Sequence, residues 1–199
     1  MAAPSLSATI VTYRTPRGVL EEALRSLAAA VDRARAAGML DGVSLHVVDN
    51  SPAEAAEEAA AALAAWPPHA GVAELVAGHG NLGYGRANNL VLPRLRSDLH
   101  LVMNPDVEVD ADALHAALQA FADHPEFGLV APAVRGEDGA PQFLCKRYPS
   151  VWVLFLRGFA PPSLKRRFRH AIEHYEMRDG CWMRFRPQPD SEGFHHKSV

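Results

Sequence analysis

Cysteine is nearly absent: the 199 residues contain two, Cys145 and Cys181. Two thiols exclude a disulfide framework and a zinc site built from cysteine alone, and they point to reduced side chains in a cytosolic protein. Long apolar runs are missing too. The most hydrophobic one, Val151 to Leu156, falls far short of the roughly 20 residues that a membrane-spanning helix needs. Met1 to Ser7 has no basic n-region, so no secretory signal is expected. The chain also lacks an excess of either charge, with a net charge of −3, and its 48% apolar content excludes disordered and collagen-like classes.

What is there suits one domain of ordinary size with a real core. The small net charge conceals an asymmetry. Residues 1–145 carry 9 Lys and Arg against 18 Asp and Glu, and residues 146–199 carry 11 against 5. The acidic part reads as an ordinary soluble body. The basic part reads as a surface for something anionic. In particular, Ser163 to His170 (SLKRRFRH) follows the aromatic and aliphatic run Val151 to Leu156. That pairing suits an anionic membrane surface or a lipid-diphosphate, and a solvated basic helix is the plain alternative. The acidic body argues against nucleic acid as a partner.

Strand and helix alternate along the chain. Ser7–Tyr13 is a β-branched strand, and Thr15-Pro16 opens a helix with a capping hydroxyl and proline at its first position. Leu20, Ala23, Leu24, Leu27 and Val31 recur at helical spacing, and Gly38 closes the helix. Val43–Val48 predicts a second strand, Ala53–Trp66 an alanine-rich helix stopped by Pro67-Pro68, and Val72–Ala77 a third strand. Gly83–Arg96 predicts a helix kinked at Pro93, and Leu99–Met103 a fourth strand. Asp110 caps a helix running through His124, with Leu114, Leu118 and Phe121 on one face, and Phe127–Val134 predicts a fifth strand interrupted by Pro132. The fold class is therefore α/β, a Rossmann-like, mostly parallel sheet flanked by helices. Right-handed crossovers bring the strand carboxyl ends to one edge, so Tyr13, Asp49, Asn81 and Asp106 are expected to converge there. Residues 187–199 read as an unpacked tail.

Each short motif has two readings. Gly78-His-Gly-Asn-Leu-Gly83 matches a dinucleotide-binding fingerprint, but it follows the third strand rather than the first, and a flexible turn between strand and helix is the favoured reading. Asp49 can accept the imide N–H of uracil or thymine, or can cap the segment near Pro52. Asp106 with Asn104 offers hard oxygen ligands to magnesium or manganese, or forms a proline-driven turn. Asn88 and Asn89 can bond ribose or phosphate, and Arg86 can pair with phosphate, or all three occupy an exposed helical turn.

Taken in order, Thr9-Ile-Val-Thr-Tyr13, Val47-Val-Asp-Asn50, Asn81-Leu-Gly-Tyr-Gly-Arg-Ala-Asn-Asn89 and Met103-Asn-Pro-Asp106 resemble the family 2 glycosyltransferases, especially their rhamnosyltransferase-like members. The likeness covers about residues 7–150 and includes His124 to Pro132 and Arg147-Tyr-Pro149. It implies a GT-A fold that binds a nucleotide-diphosphate sugar, a dTDP- or UDP-sugar, with Mg2+ or Mn2+. It implies donor-binding roles for Thr12, Tyr13, Asp49, Asn81, Gly83, Arg86 and Asn88. It implies metal binding at Asp106, with Asn104 standing where the family's first aspartate stands. The implied acceptor is a glycan or lipid-linked sugar at the inner face of the cytoplasmic membrane. The family continues with a Gly-Gly-Phe-Asp stretch and an acidic Glu-Asp pair that supplies the general base. Gly180 to Arg186 echoes the segment before it, Glu192-Gly-Phe194 echoes its start, and no such pair follows. The expectation is a shortened glycosyltransferase with 7–150 as the nucleotide-sugar domain, 151–186 as an acceptor or membrane side, and the catalytic base unassigned. The alternatives are a nucleotide-sugar-binding module without transfer and a nucleotidyltransferase. His195 and His196 read as tail rather than metal ligands.

Overall fold

The computed structural model describes residues 2–52, 56–132, 134–135, 141–142, 148 and 150–176. The chain divides into two compact units, Met1–Val130 and Ala131–Val199. The first holds a four-stranded sheet: β1 (Leu6–Thr12), β2 (Val43–Asp49), β3 (Val72–Val76) and β4 (Leu99–Met103), in the order β3-β2-β1-β4. All three pairings are parallel. The register aligns Thr12 with Asp49 and Ile10 with Met103, so the strands end nearly level.

Four helices connect and cover the sheet: α1 (Arg17–Ala36), α2 (Ala56–Leu63), α3 (Tyr84–Val91) and α4 (Ala113–Asp123). Side chains alternate across a strand, so a central strand with helices on both sides is buried throughout. In β1 every residue is buried. Ile10 and Val47 join Leu20, Leu24 and Leu27 of α1, Ala59 and Ala62 of α2, and Leu114 and Leu118 of α4 in the main core. Their neighbours Val11 and Val48 face the other way and pack with Ala87 and Val91 of α3. Two polar residues of β1, Ser7 and Thr9, share the face of Val11. The Ser7 hydroxyl lies 2.6 Å from Ser97 Oγ and 2.7 Å from His100 Nδ1. Burial, and then the nearby His46, hold the His100 imidazole below its ordinary pKa.

The chain closes α1 with Gly38 in the left-handed region (φ 71°), where a glycine has no Cβ to clash. Its N–H bonds the Arg35 carbonyl at 2.8 Å, and the Met39 N–H bonds that of Ala34 at 3.0 Å. Other expected ends differ. The N-cap of α1 is Pro16 in an extended conformation, with no side-chain cap, so the Thr15 hydroxyl does not open the helix. Pro93 ends α3 rather than kinking it: the helix stops at Val91, and Leu92–Arg94 continue as a 3-10 turn. Proline lacks the N–H that another α-helical turn needs. Asp110 sits one turn before α4, its carboxylate accepting from the Asp112 N–H at 2.9 Å. For the alanine-rich helix, Ala53–Glu54–Ala55 lie outside the described residues, and α2 ends at Leu63 before a turn through Trp66.

The expected strand over Phe127–Val134 is not formed between Phe127 and Pro132. Leu129 is 83% exposed, and Pro132 has no N–H to give a ladder. A two-residue β5 (Val134–Arg135) instead pairs antiparallel with β6 (Pro141–Gln142) in the second unit. That unit also holds α5 (Val151–Phe159), α6 (Pro162–Arg167) and α7 (Arg169–Tyr175), and α5 packs on both others. No helix among the described residues is long and apolar enough to cross a membrane. Cys145, Arg147, Pro149, Asp179, Gly180–Arg186, Glu192–Phe194, His195, His196 and the 187–199 tail lie outside the described residues.

Candidate functional site

The carboxyl edge of a parallel sheet is where chains of this class leave the strands and where ligands bind. Thr12 ends β1 and Asp49 ends β2 at the same level. The Thr12 hydroxyl donates to Asp49 Oδ1 at 3.0 Å, and the Ser51 N–H donates to the same oxygen at 3.0 Å. Asp49 is only 1% exposed, and its second oxygen, Oδ2, is buried without a partner. A buried carboxylate oxygen left unpaired is costly unless something arrives to donate to it. Of the two sequence readings of Asp49, the structure shows the turn contact, made by Oδ1 with the Ser51 N–H, while Oδ2 makes no hydrogen bond.

Asp49 lines an open pocket of about 220 Å3 with Thr12, Arg14, Thr15, Pro16, Leu20, Ser51, Glu58 and Ala59. Only Thr12 and Asp49 of these were expected at the site from sequence; the polar members Arg14, Ser51 and Glu58 were not. Arg14 adopts a left-handed φ of 51°, a conformation uncommon for a residue with a Cβ and one that recurs at functional turns. Its N–H bonds Ser51 Oγ at 2.7 Å, and its guanidinium lies 5.6 Å from the centre of the Tyr13 ring. The Asn50 N–H bonds the Thr12 carbonyl at 2.8 Å, and the buried Asn50 Oδ1 has no partner. The signal available in the sequence was position alone, since Arg14 and Ser51 each lie two residues past the end of one of two adjacent strands.

A second group forms where β3 and β4 end. Gly80 and Gly83 both have positive φ, 66° and 79°, so the glycine-rich loop is a tight turn into α3. Asn81 Oδ1 accepts the Gly83 N–H at 2.9 Å, which occupies part of that side chain in holding the turn. The Tyr84 hydroxyl donates to Asn104 Oδ1 at 3.0 Å, tying the start of α3 to the residue after β4. Asn88 donates its amide to the Tyr84 carbonyl at 3.0 Å, and its buried Oδ1 is unpaired. Arg86 is exposed on the first turn of α3, and Tyr13 and Asp106 are exposed. The strand ends thus carry Thr12, Tyr13, Asp49, Asn104 and Asp106 along one edge, and α3 packs on β1 and β2 beneath it.

The donor set constrains any cation. No group of three His, Cys, Asp or Glu side chains is close enough among the described residues to cage one. Asn104 and Asp106 supply hard oxygens only two residues apart. Such a pair fits an ion held chiefly by substrate phosphates and water, as Mg2+ commonly is, and does not fit an all-protein site.

These observations define an α/β, Rossmann-like parallel sheet with polar side chains gathered along its carboxyl edge. The chain belongs to glycosyl transferase family 2: the family model matches residues 7–187, which carries the relationship past residue 150 and through α5, α6 and α7. Its fold is accordingly the GT-A type. Among characterised proteins it is similar to the N-acetylglucosaminyl-diphospho-decaprenol L-rhamnosyltransferase of Mycobacterium tuberculosis, in strains CDC 1551 and H37Rv. It is 29% identical to each over 157 residues, covering 73% of this chain. The chain spans about half the length of these relatives, 46%.

Proposed function

We propose that the pocket at Asp49 receives the uracil or thymine of a nucleoside-diphosphate sugar, and that the chain takes part in transfer of that sugar to a glycan or lipid-linked acceptor. One observation carries the reading: Asp49, which lines a pocket at the carboxyl edge of a family 2 sheet, keeps one buried carboxylate oxygen unpaired. The imide N–H of either base is a donor of the kind Oδ2 lacks. The Tyr13 ring, half exposed beside the same strand end, offers a face for stacking on the base. Asn88, with its free Oδ1, and Gly83 shape the nucleotide side of the site, while Asn81 holds the turn. Arg86 and Arg14 are the cations available to the diphosphate.

Asn104 and Asp106 would hold Mg2+ or Mn2+ with the diphosphate. Such an ion offsets the charge of the departing nucleoside diphosphate. The relatives' name describes movement of L-rhamnose onto a diphospho-decaprenol-linked sugar. By that likeness we favour dTDP-rhamnose as donor and a lipid-linked acceptor at the cytoplasmic face of the membrane. Transfer further requires a group that takes the acceptor's hydroxyl proton, worth about 10²–10⁴-fold in rate. We leave that group unassigned, so donor binding and transfer are measured separately.

Calorimetric titration with UDP and dTDP, with and without manganese, tests the site. Binding that tightens with manganese is expected. Failure of both nucleotides to bind would end the donor reading, and manganese-dependent binding unaffected by Asp106→Ala would end the metal assignment. Release of free sugar from dTDP-rhamnose, measured beside transfer to a lipid-linked acceptor, separates an enzyme from a binding module.

A further inference from the structure

Helix α5 is apolar on more sides than a helix of a water-facing domain needs to be. Ser150 caps it, its hydroxyl accepting the Val153 N–H at 3.2 Å. Val153 and Leu156, with Ala160 just beyond the helix, are buried at the i, i+3, i+7 spacing of one inward stripe. A second stripe points outward. Trp152, Phe155 and Phe159 are 49%, 47% and 81% exposed, and Val151 and Leu154 are exposed beside them. The outward rings form one continuous patch. Trp152 and Phe155 lie 5.8 Å apart between centroids, Phe155 and Phe159 6.0 Å, and Phe168 meets Trp152 edge-on at 5.6 Å.

Phe168 joins this patch to the basic helices. Pro161 and Pro162 break the chain after α5, and α6 then presents Lys165, Arg166 and Arg167, followed by Arg169 and His170 in α7. Between Ser150 and Ile172 there are five Lys and Arg residues and no acidic residue. Arg157 is committed to Glu176 (3.4 Å) and Arg169 to Glu173 (3.3 Å). Arg166 and Arg167 are exposed and have no carboxylate within 4.0 Å among the described residues.

We propose that this aromatic stripe and its basic flank form a docking surface for an anionic phospholipid bilayer. The inference is independent of the donor reading. Two chemistries adjoin here, and a bilayer interface is the partner that satisfies both. Indole and phenyl rings partition to the headgroup boundary, and Arg and Lys beside them meet anionic headgroups. A polynucleotide would answer the charge, but residues 1–145 carry 18 Asp and Glu against 9 Lys and Arg, a balance that repels a phosphate backbone. A second copy docking face to face would bring the Arg166–Arg167 pairs of both chains together.

The test is co-sedimentation of the full chain with vesicles of phosphatidylcholine alone and of phosphatidylcholine with phosphatidylglycerol. Binding to the anionic vesicles only, weakened by salt, is expected. The double variant R166Q/R167Q should bind about 30-fold more weakly, at about five-fold per charge. F155S/F159S should lose about ten-fold or more. Both variants alter exposed positions and should keep the parent's circular dichroism and melting curve. If one pair fails to fold, the other and the salt dependence still decide. Equal binding to neutral vesicles, no binding to either, or indifference to both pairs would overturn the proposal. So would displacement by inorganic diphosphate beyond its effect on ionic strength, which would mean a headgroup pocket rather than a surface. A dimer in sedimentation equilibrium that F155S/F159S dissociates would assign the stripe to a second copy and overturn it as well.

Discussion

Replacing Asp49 with Asn tests the donor site with little change of shape. In the native side chain, Oδ1 already accepts from the Thr12 hydroxyl and the Ser51 N–H, at 3.0 Å each, and Oδ2 has no partner. An amide must keep its oxygen toward the Ser51 N–H, which can only donate, because turning it would set donor against donor there. The NH2 then takes the place of Oδ2 and faces the ligand. Against the N3–H of uracil or thymine this is donor against donor. The loss is a charge-assisted hydrogen bond, about 1.5–3 kcal/mol, and the penalty of a buried unpaired donor adds about 1–3 kcal/mol. Together they predict at least about 2.5 kcal/mol, or roughly a 70-fold rise in Kd for UDP and dTDP. Cytosine carries an acceptor at N3, so the same NH2 can donate to it. Calorimetry on Asp49→Asn should therefore show the UDP-to-CDP preference moving toward CDP while the fold persists by circular dichroism. UDP affinity within about five-fold of the parent, with no change in that preference, would refute the assignment of Oδ2 to the base.

Three further predictions concern the scaffold. Leu24→Ala, at a fully buried position of α1, should lower unfolding free energy by about 2–5 kcal/mol in urea titration, since the cavity lies in the main core. Gly71→Ala should cost about 1–3 kcal/mol or more by the same assay: Gly71 has φ 139°, and an added Cβ would collide with the Val43 backbone carbonyl of the adjacent strand. Stability should also fall on acidification because of His100. Its folded pKa is lowered, so the neutral ring is favoured in the native state and no penalty exists above the unfolded value of about 6.5. Below that pH the unfolded chain takes up a proton that the native state resists, and stability declines until the pH passes the folded value. Melting temperatures measured from neutral pH downward should fall less for His100→Gln than for the parent.

The sheet was legible because its strands are short apolar runs with abrupt ends. Leu99–Met103 was read without error, since Ser97-Asp98 and Asn104-Pro105 bound it on both sides. Parallel order followed from the strand–helix alternation. Asp49 was readable as a strand-end carboxylate, but the engagement of Oδ1 alone depends on the Thr12 hydroxyl and the Ser51 N–H, contacts that periodicity does not encode. Arg14 was invisible for a related reason. Its left-handed backbone is set by the pairing of its N–H with Ser51 across 37 residues, while local preference for arginine argues against that conformation. The fifth strand was misread because Phe127–Val130 has strand-like residues but pairs with no strand among the described residues, and β-propensity reflects pairing as much as backbone preference. Local rules also placed the helix caps at Thr15 and Asp110, where the chain used a proline backbone and a preceding turn instead.

The most direct test of the account is a crystal structure of the chain soaked with UDP or dTDP and manganese. It should show N3 of the base within hydrogen-bond distance of Asp49 Oδ2, with the diphosphate and the ion against Asp106. A base bound away from Asp49, or an ion on residues other than Asn104 and Asp106, would contradict it.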